Sequence, residues 1–137
     1  MTEANRGQAI SEELTRAESA FAASVLLADG GFPADSVSRL YYSLLCRIRA
    51  LLLTEGLEPR SHEGALRLLS LHFVKSGRIE PEASHLFSRL MKYREEADYN
   101  PSYVFTPADV CKLTEEVRAL GIRIADLIRR AGYKAEK

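Results

Sequence analysis

The sequence predicts an all-α fold, an up-and-down bundle of about five helices in one domain. Three observations carry that expectation. Apolar residues recur at three- and four-residue spacing along almost the whole chain, and strand-like alternation is absent. Glycine and proline interrupt the pattern at intervals suited to helices of ordinary length. The connections between the helical segments are short, which favours antiparallel neighbours.

The first helix carries Ile10, Leu14, Ala17, Phe21, Val25 and Ala28 on one stripe. Ser11 is its candidate cap, and Gly30-Gly31 stops it. The second opens after Phe32-Pro33, where proline is pre-set for a first turn, and runs to Gly56. Its main stripe is Val37, Leu40, Tyr41, Leu44, Ile48, Leu51 and Leu52; a second stripe adds Tyr42, Leu45, Cys46 and Leu53. A helix apolar on most sides is central or shared with another subunit. Ser61 caps a third helix with Leu66, Leu69 and Phe73, ending at Gly77. Pro81 opens a fourth with Ala83, Leu86, Phe87, Leu90, Tyr93 and Ala97, closed by Asn100-Pro101. Thr106-Pro107-Ala108-Asp109 has capping-box spacing, with aspartate in the glutamate role. The last helix follows with Val110, Leu113, Val117, Leu120, Ile124, Leu127 and Ile128. Gly121 inside it costs about 1 kcal/mol against alanine, so it marks a candidate close helix crossing. The single domain covers residues 1–137, with an ordered core expected over about 8–132.

Composition narrows the function classes. The 137 residues hold 19 basic and 19 acidic side chains, so no net charge draws the molecule to nucleic acid or membrane. Any such binding needs a local patch. Cys46 and Cys111 lack metal-ligand spacing and read as isolated thiols of a reducing compartment. No signal-peptide pattern and no apolar run of about 20 residues is present, which points to a cytoplasmic protein without a membrane partner.

Arg94 is the most pointed residue. It lies four positions after Leu90 and seven after Phe87, on their inward stripe, where a charge needs a partner or a job. Asp98, one turn on, can hold the guanidinium as a simple ion pair. The alternative is a guanidinium held ready for a phosphate, which its planar fork suits better than lysine. His62 follows the Ser61 cap; the positive end of a helix favours its neutral form, for capping or hydrogen bonding. His72 reads as half-buried structure, and His85 lies on the opposite side of its helix from Arg94. Glu82-Ala-Ser-His85 has the Glu-x-x-His spacing of di-iron bundles but no second copy, so no metal site is expected. No glycine-rich phosphate loop and no nucleophile elbow occurs, and no cofactor is expected. Arg39, Arg47 and Arg49 on the second helix and Arg118, Arg123, Arg129, Arg130 and Lys134 towards the C-terminus form either a backbone-tracking patch or a solvated face balanced by glutamates. Tyr41 and Tyr42 are adjacent and point different ways, one to the core and one towards an interface or ligand.

Four phrases stand in order along the chain: Ser38-Arg39-Leu40-Tyr41-Tyr42-Ser43, Ser61-His62-Glu63-Gly64, Phe73-Val74-Lys75-Ser76-Gly77 and Tyr93-Arg94-Glu95-Glu96-Ala97-Asp98-Tyr99. With the Phe105–Val110 opening of the last helix, this ordered set resembles the small stand-alone members of the HEPN family. The resemblance implies a compact helical bundle acting as a homodimer on, or in response to, RNA. It also implies the toxin-like half of a module whose partner is a minimal nucleotidyltransferase antitoxin. Active members carry an arginine followed a few residues later by a histidine, and two copies meet across a dimer as a metal-independent ribonuclease site. Arg94 matches that arginine. No histidine follows it before Pro101, and Tyr99 stands about where one would be expected. If the chain cuts RNA, Arg94 neutralises the phosphate while Tyr99, Asp98 or His62 orients the attacking hydroxyl. The alternative is a non-catalytic module that binds a nucleotidyltransferase or a nucleotide. A structural adaptor is the third expectation, should Arg94 be fully enclosed by its own ion pair.

Overall fold

The computed structural model describes residues 2–135. Five helices appear in chain order: α1 Glu3–Asp29, α2 Pro33–Leu53, α3 His62–Leu69, α4 Glu82–Tyr99 and α5 Pro107–Arg130. No strand occurs among the described residues, and the all-α expectation holds.

Helix α1 starts eight residues before the cap expected at Ser11. Thr2 is the cap, its hydroxyl accepting from the Asn5 amide at 3.1 Å. Ser11 instead lies mid-helix, where its carbonyl accepts from the Thr15 hydroxyl. The reason is that the polar first turns bury little, so their periodicity is silent while their helix propensity is adequate. A glycine pair turns the chain into α2, Gly31 taking the left-handed φ of 86° that glycine adopts without steric cost.

Helix α2 is the axis of the bundle: fourteen of its 21 residues are buried. Small residues let α1 approach it closely. The Ser36 hydroxyl donates to the Ser24 carbonyl at 2.7 Å, and Ser43 donates to the Ala17 carbonyl at 2.8 Å. Both serines are fully buried, so these bonds satisfy hydroxyls that would otherwise be costly to desolvate. Ser61 caps α3 as the sequence predicts, accepting from the Gly64 amide at 2.9 Å. A wide π turn over Ser70–Val74 continues that helix and buries Phe73. The Thr106–Asp109 capping box is reciprocal, at 3.1 and 3.2 Å.

Helix α4, which buries Ala83, Leu86, Phe87 and Leu90, packs chiefly on α2 rather than on its sequence neighbour α5. A surface groove runs between α4 and α5, floored by Ala83, Leu86, Ala119 and Leu120. Exposed ion pairs Arg89–Glu116 (2.8 Å) and Arg123–Glu80 (3.2 Å) cross it. Among the described residues no helix is long and apolar enough to cross a membrane.

Candidate functional site

The Arg94 region is built by two helices and one cap. On α2, Ser38 and Tyr41 are three residues apart and face the same way. On α4, Phe87, Arg94 and Asp98 follow at seven and four residues, again one face. Packing α4 on α2 brings the two sets together, and the start of α3 delivers His62.

Tyr41 is the centre. Its ring stacks parallel to Phe87, with centroids 5.6 Å apart and planes within 2°. The Arg94 guanidinium carbon lies 5.3 Å from the centre of the same ring, a cation–π contact. His62 leans on that ring too, at 5.5 Å and tilted by 55°. Asp98 holds the arginine from below: its carboxylate accepts from Arg94 at 3.4 Å and from the Ser38 hydroxyl at 2.8 Å. The Arg94 side chain is 27% exposed, so its ion pair does not enclose it. Its Nε is buried with no hydrogen-bond partner among the described residues, and the Tyr41 hydroxyl shares that condition.

The electrostatics follow from this arrangement. Burial pushes the Tyr41 phenol up to about 12, so at neutral pH it is a donor and not a base. His62 is held below its ordinary value, first by partial burial and then by the positive charges of Arg94 and Arg49; Glu63 opposes weakly. A neutral imidazole beside two guanidinium charges can accept a proton or a hydrogen bond.

Of the four residues singled out by sequence, the structure gathers Arg94, Asp98 and His62 around one tyrosine. Tyr99 is 77% exposed at the end of α4, outside this cluster. Tyr41 resolves the choice within its pair: it is the buried ring, while Tyr42 is half-buried under the Arg39 guanidinium. Ser38 and Arg49 carried no expectation of a role beside Arg94. The signals for Ser38 are its place three residues before Tyr41 and at the head of the first family phrase. The arginines of the dispersed set are mostly engaged: Arg118 with Glu115, Arg123 with Glu80, Arg130 with Asp126. Arg47 is not on the surface at all; it is 8% exposed. His85 is exposed on the α4–α5 groove, away from Arg94. Among the described residues no group of three or more metal-ligating side chains stands together.

Comparison with known proteins places this arrangement in a family. A UPF0332 protein of Pyrococcus horikoshii is 46% identical over 63 residues, covering 46% of this chain and 44% of its own. A protein named as a candidate toxin, from Methanocaldococcus jannaschii, is 33% identical over 87 residues, covering 64% of this chain and 59% of its own. A UPF0332 protein of Thermotoga maritima is 33% identical over 76 residues, with 56% and 58% covered. The chain thus spans less than two thirds of the length of each of these relatives. The sequence model of the HEPN domain matches residues 10–130, a stretch that holds most of α1, the Tyr41–Arg94–His62 cluster and all of α5, and the chain therefore belongs to the HEPN domain family.

Proposed function

We propose that this HEPN protein acts on RNA as a metal-independent endoribonuclease, in the toxin-like role suggested by the names of its relatives in Methanocaldococcus jannaschii. The observation that carries the reading is the convergence of Arg94 and His62 on Tyr41, with the Arg94 Nε buried and unpartnered.

The chemistry requires little more. Arg94 sits against the scissile phosphate and neutralises charge as it grows on the non-bridging oxygens. His62, kept neutral, accepts the proton of the ribose 2′-hydroxyl as that oxygen attacks phosphorus. A P–O bond forms to the 2′ oxygen and the bond to the 5′ oxygen breaks; that leaving oxygen takes up a proton from water, and the His62 imidazolium returns its proton to solvent. Asp98 is committed to Arg94 and Ser38, so it orients the guanidinium and is a poor base. Tyr41 supports the arginine through its ring, while its own hydroxyl is buried and out of reach of a substrate. A homodimer, with a second copy of the cluster facing the first, and a nucleotidyltransferase antitoxin complete the proposal.

The test is cleavage of several RNAs by purified protein in the presence of a chelator. Arg94→Ala should lower the rate at least about 100-fold and His62→Gln by about 10²–10⁴-fold, the usual worth of a positioned acid–base group. Cleavage indifferent to Arg94→Ala, or none by folded protein, sinks the nuclease reading. A second reading then stands, a non-catalytic module that binds the nucleotidyltransferase. The closed Ser38–Asp98–Arg94 chain of hydrogen bonds favours it, because such a chain also serves a purely recognitional arginine.

A further inference from the structure

A second arginine sits on the other side of α2. Arg47 is 8% exposed, yet among the described residues its guanidinium has no ion pair or hydrogen bond. Glu18, on the same cleft, is the acidic group whose charge acts on it. Burial holds the Arg47 pKa below its ordinary value. A buried charge left in this state is destabilising unless a partner or solvent compensates it.

The guanidinium is not sealed in. It lines a cleft of about 300 Å³ between α1 and α5, walled by Phe21, Val117 and Ile122 and flanked by Glu18 and Arg118. Gly121 makes the space. A Cβ placed there would come within 3.1 Å of Arg47 Nε and 3.4 Å of its Cζ, so the planar group lies flat against a helix backbone that only glycine leaves open. Ile122 is 45% exposed at the rim, and the Arg118 guanidinium lies over Phe21 at 4.9 Å. The result is a concave, largely apolar wall with one pre-positioned fork of donors that reaches the cleft, the layout of a small-molecule site in its lower size range of about 300 Å³.

We infer that the Arg47 cleft binds a small organic oxyanion, a carboxylate or phosphate carried on a compact apolar body. The anion engages the Arg47 fork, and the apolar body lies along Phe21, Val117 and Ile122. Glu18 limits the charge the cleft accepts, and Arg118 at the rim partly offsets it. The site is separate from the Arg94 cluster: Arg47 is six residues past Tyr41, so it projects from a different face of α2. The inference does not depend on any nuclease activity.

Benzoate and phenyl phosphate are the probes, with inorganic phosphate as the anion without an apolar body. Each is titrated into labelled full-length protein while the Arg47 Nε–H and Gly121 amide resonances are followed. Saturable shifts at both positions are expected from benzoate or phenyl phosphate, and weaker binding from inorganic phosphate. Whichever of the two aromatic probes binds tighter identifies the anion. Arg47→Met, which keeps the volume and removes the charge, should weaken binding at least about 10-fold, since a hydrogen bond to a charged group is worth about 1.5–3 kcal/mol. Glu18→Gln should tighten binding several-fold, and Arg94→Ala should leave it unchanged. No saturation by either aromatic probe on the wild type overturns the inference. So does binding that survives Arg47→Met or weakens in Glu18→Gln.

Discussion

Replacing Tyr41 with phenylalanine is expected to make the protein more stable, against the usual direction for a buried tyrosine. The hydroxyl is buried with no partner among the described residues, in a residue only 2% exposed. Removing a buried hydroxyl that lacks a hydrogen bond recovers its desolvation cost, about 1–3 kcal/mol. The other contacts of the ring survive, because phenylalanine stacks on Phe87 and offers Arg94 the same π face. A net gain of about 1–2 kcal/mol follows, or a rise of about 0.5–1 M in the urea midpoint at an m-value of about 2 kcal/mol/M. Equilibrium urea unfolding with an unchanged m-value is the assay. A tyrosine whose hydroxyl is well bonded would instead lose about 1 kcal/mol on the same change. A fall in midpoint of that size would therefore refute the reasoning. Because the buried hydroxyl is out of reach of a substrate, the stabilised variant should keep any Arg94-dependent cleavage at the wild-type rate.

Other expectations can be checked by the same means. Gly121→Ala should destabilise the wild type by about 1 kcal/mol. The helix-propensity gain of about 1 kcal/mol is outweighed by overpacking of the trapped Arg47 shank, which costs about 1–3 kcal/mol. In an Arg47→Ala background the same change should stabilise by about 1 kcal/mol, and a double-mutant cycle without coupling would contradict the close contact. Because the His62 pKa is lowered in the fold, the unfolded chain binds the proton more readily. The stability from neutral His62 is thus complete above its unfolded value near 6.5 and drains away as pH falls through the folded one. His62→Gln should flatten that part of the profile measured by denaturant midpoint, and an unchanged slope would count against it. In alkali the sign reverses: Tyr41, raised to about 12, stabilises fully below pH 10 and loses its contribution as pH climbs through 12, a loss Tyr41→Phe should remove. Ser38→Ala should cost stability only about 0.5–1.5 kcal/mol, yet lower any Arg94-dependent activity by loosening Asp98.

How much of this was legible follows the range of each interaction. The Thr106–Asp109 box, the Ser61 cap and the Arg94–Asp98 pair span three or four residues, so local spacing reveals them. The start of α1 was misread because Ser11 also has a capping side chain, and nothing apolar marks the turns before it. The Tyr41–Arg94 and Tyr41–His62 contacts join three separate helices, and no periodicity encodes a distance across them. The family resemblance tied His62 and Tyr41 to Arg94 only as phrases in a shared order. Arg47 looked like surface because arginine usually is; the clue was Gly121, which was read as a close crossing without showing what crosses it.

The seating of α4 on α2, with an open groove towards α5, also bears on how sequences of this kind can diverge. The placement of Arg94 is decided by one helix pair, through Ser38 and Tyr41 on one side and Phe87 and Asp98 on the other. Those positions should be inherited as a set, a change at one requiring an answering change across the pair. The floor of the groove, Ala83 and Leu86 against Ala119 and Leu120, lies outside that constraint. Lineages can therefore vary the α5 wall of the groove without disturbing the arginine, and new binding preferences can arise there while the Arg94 cluster is kept.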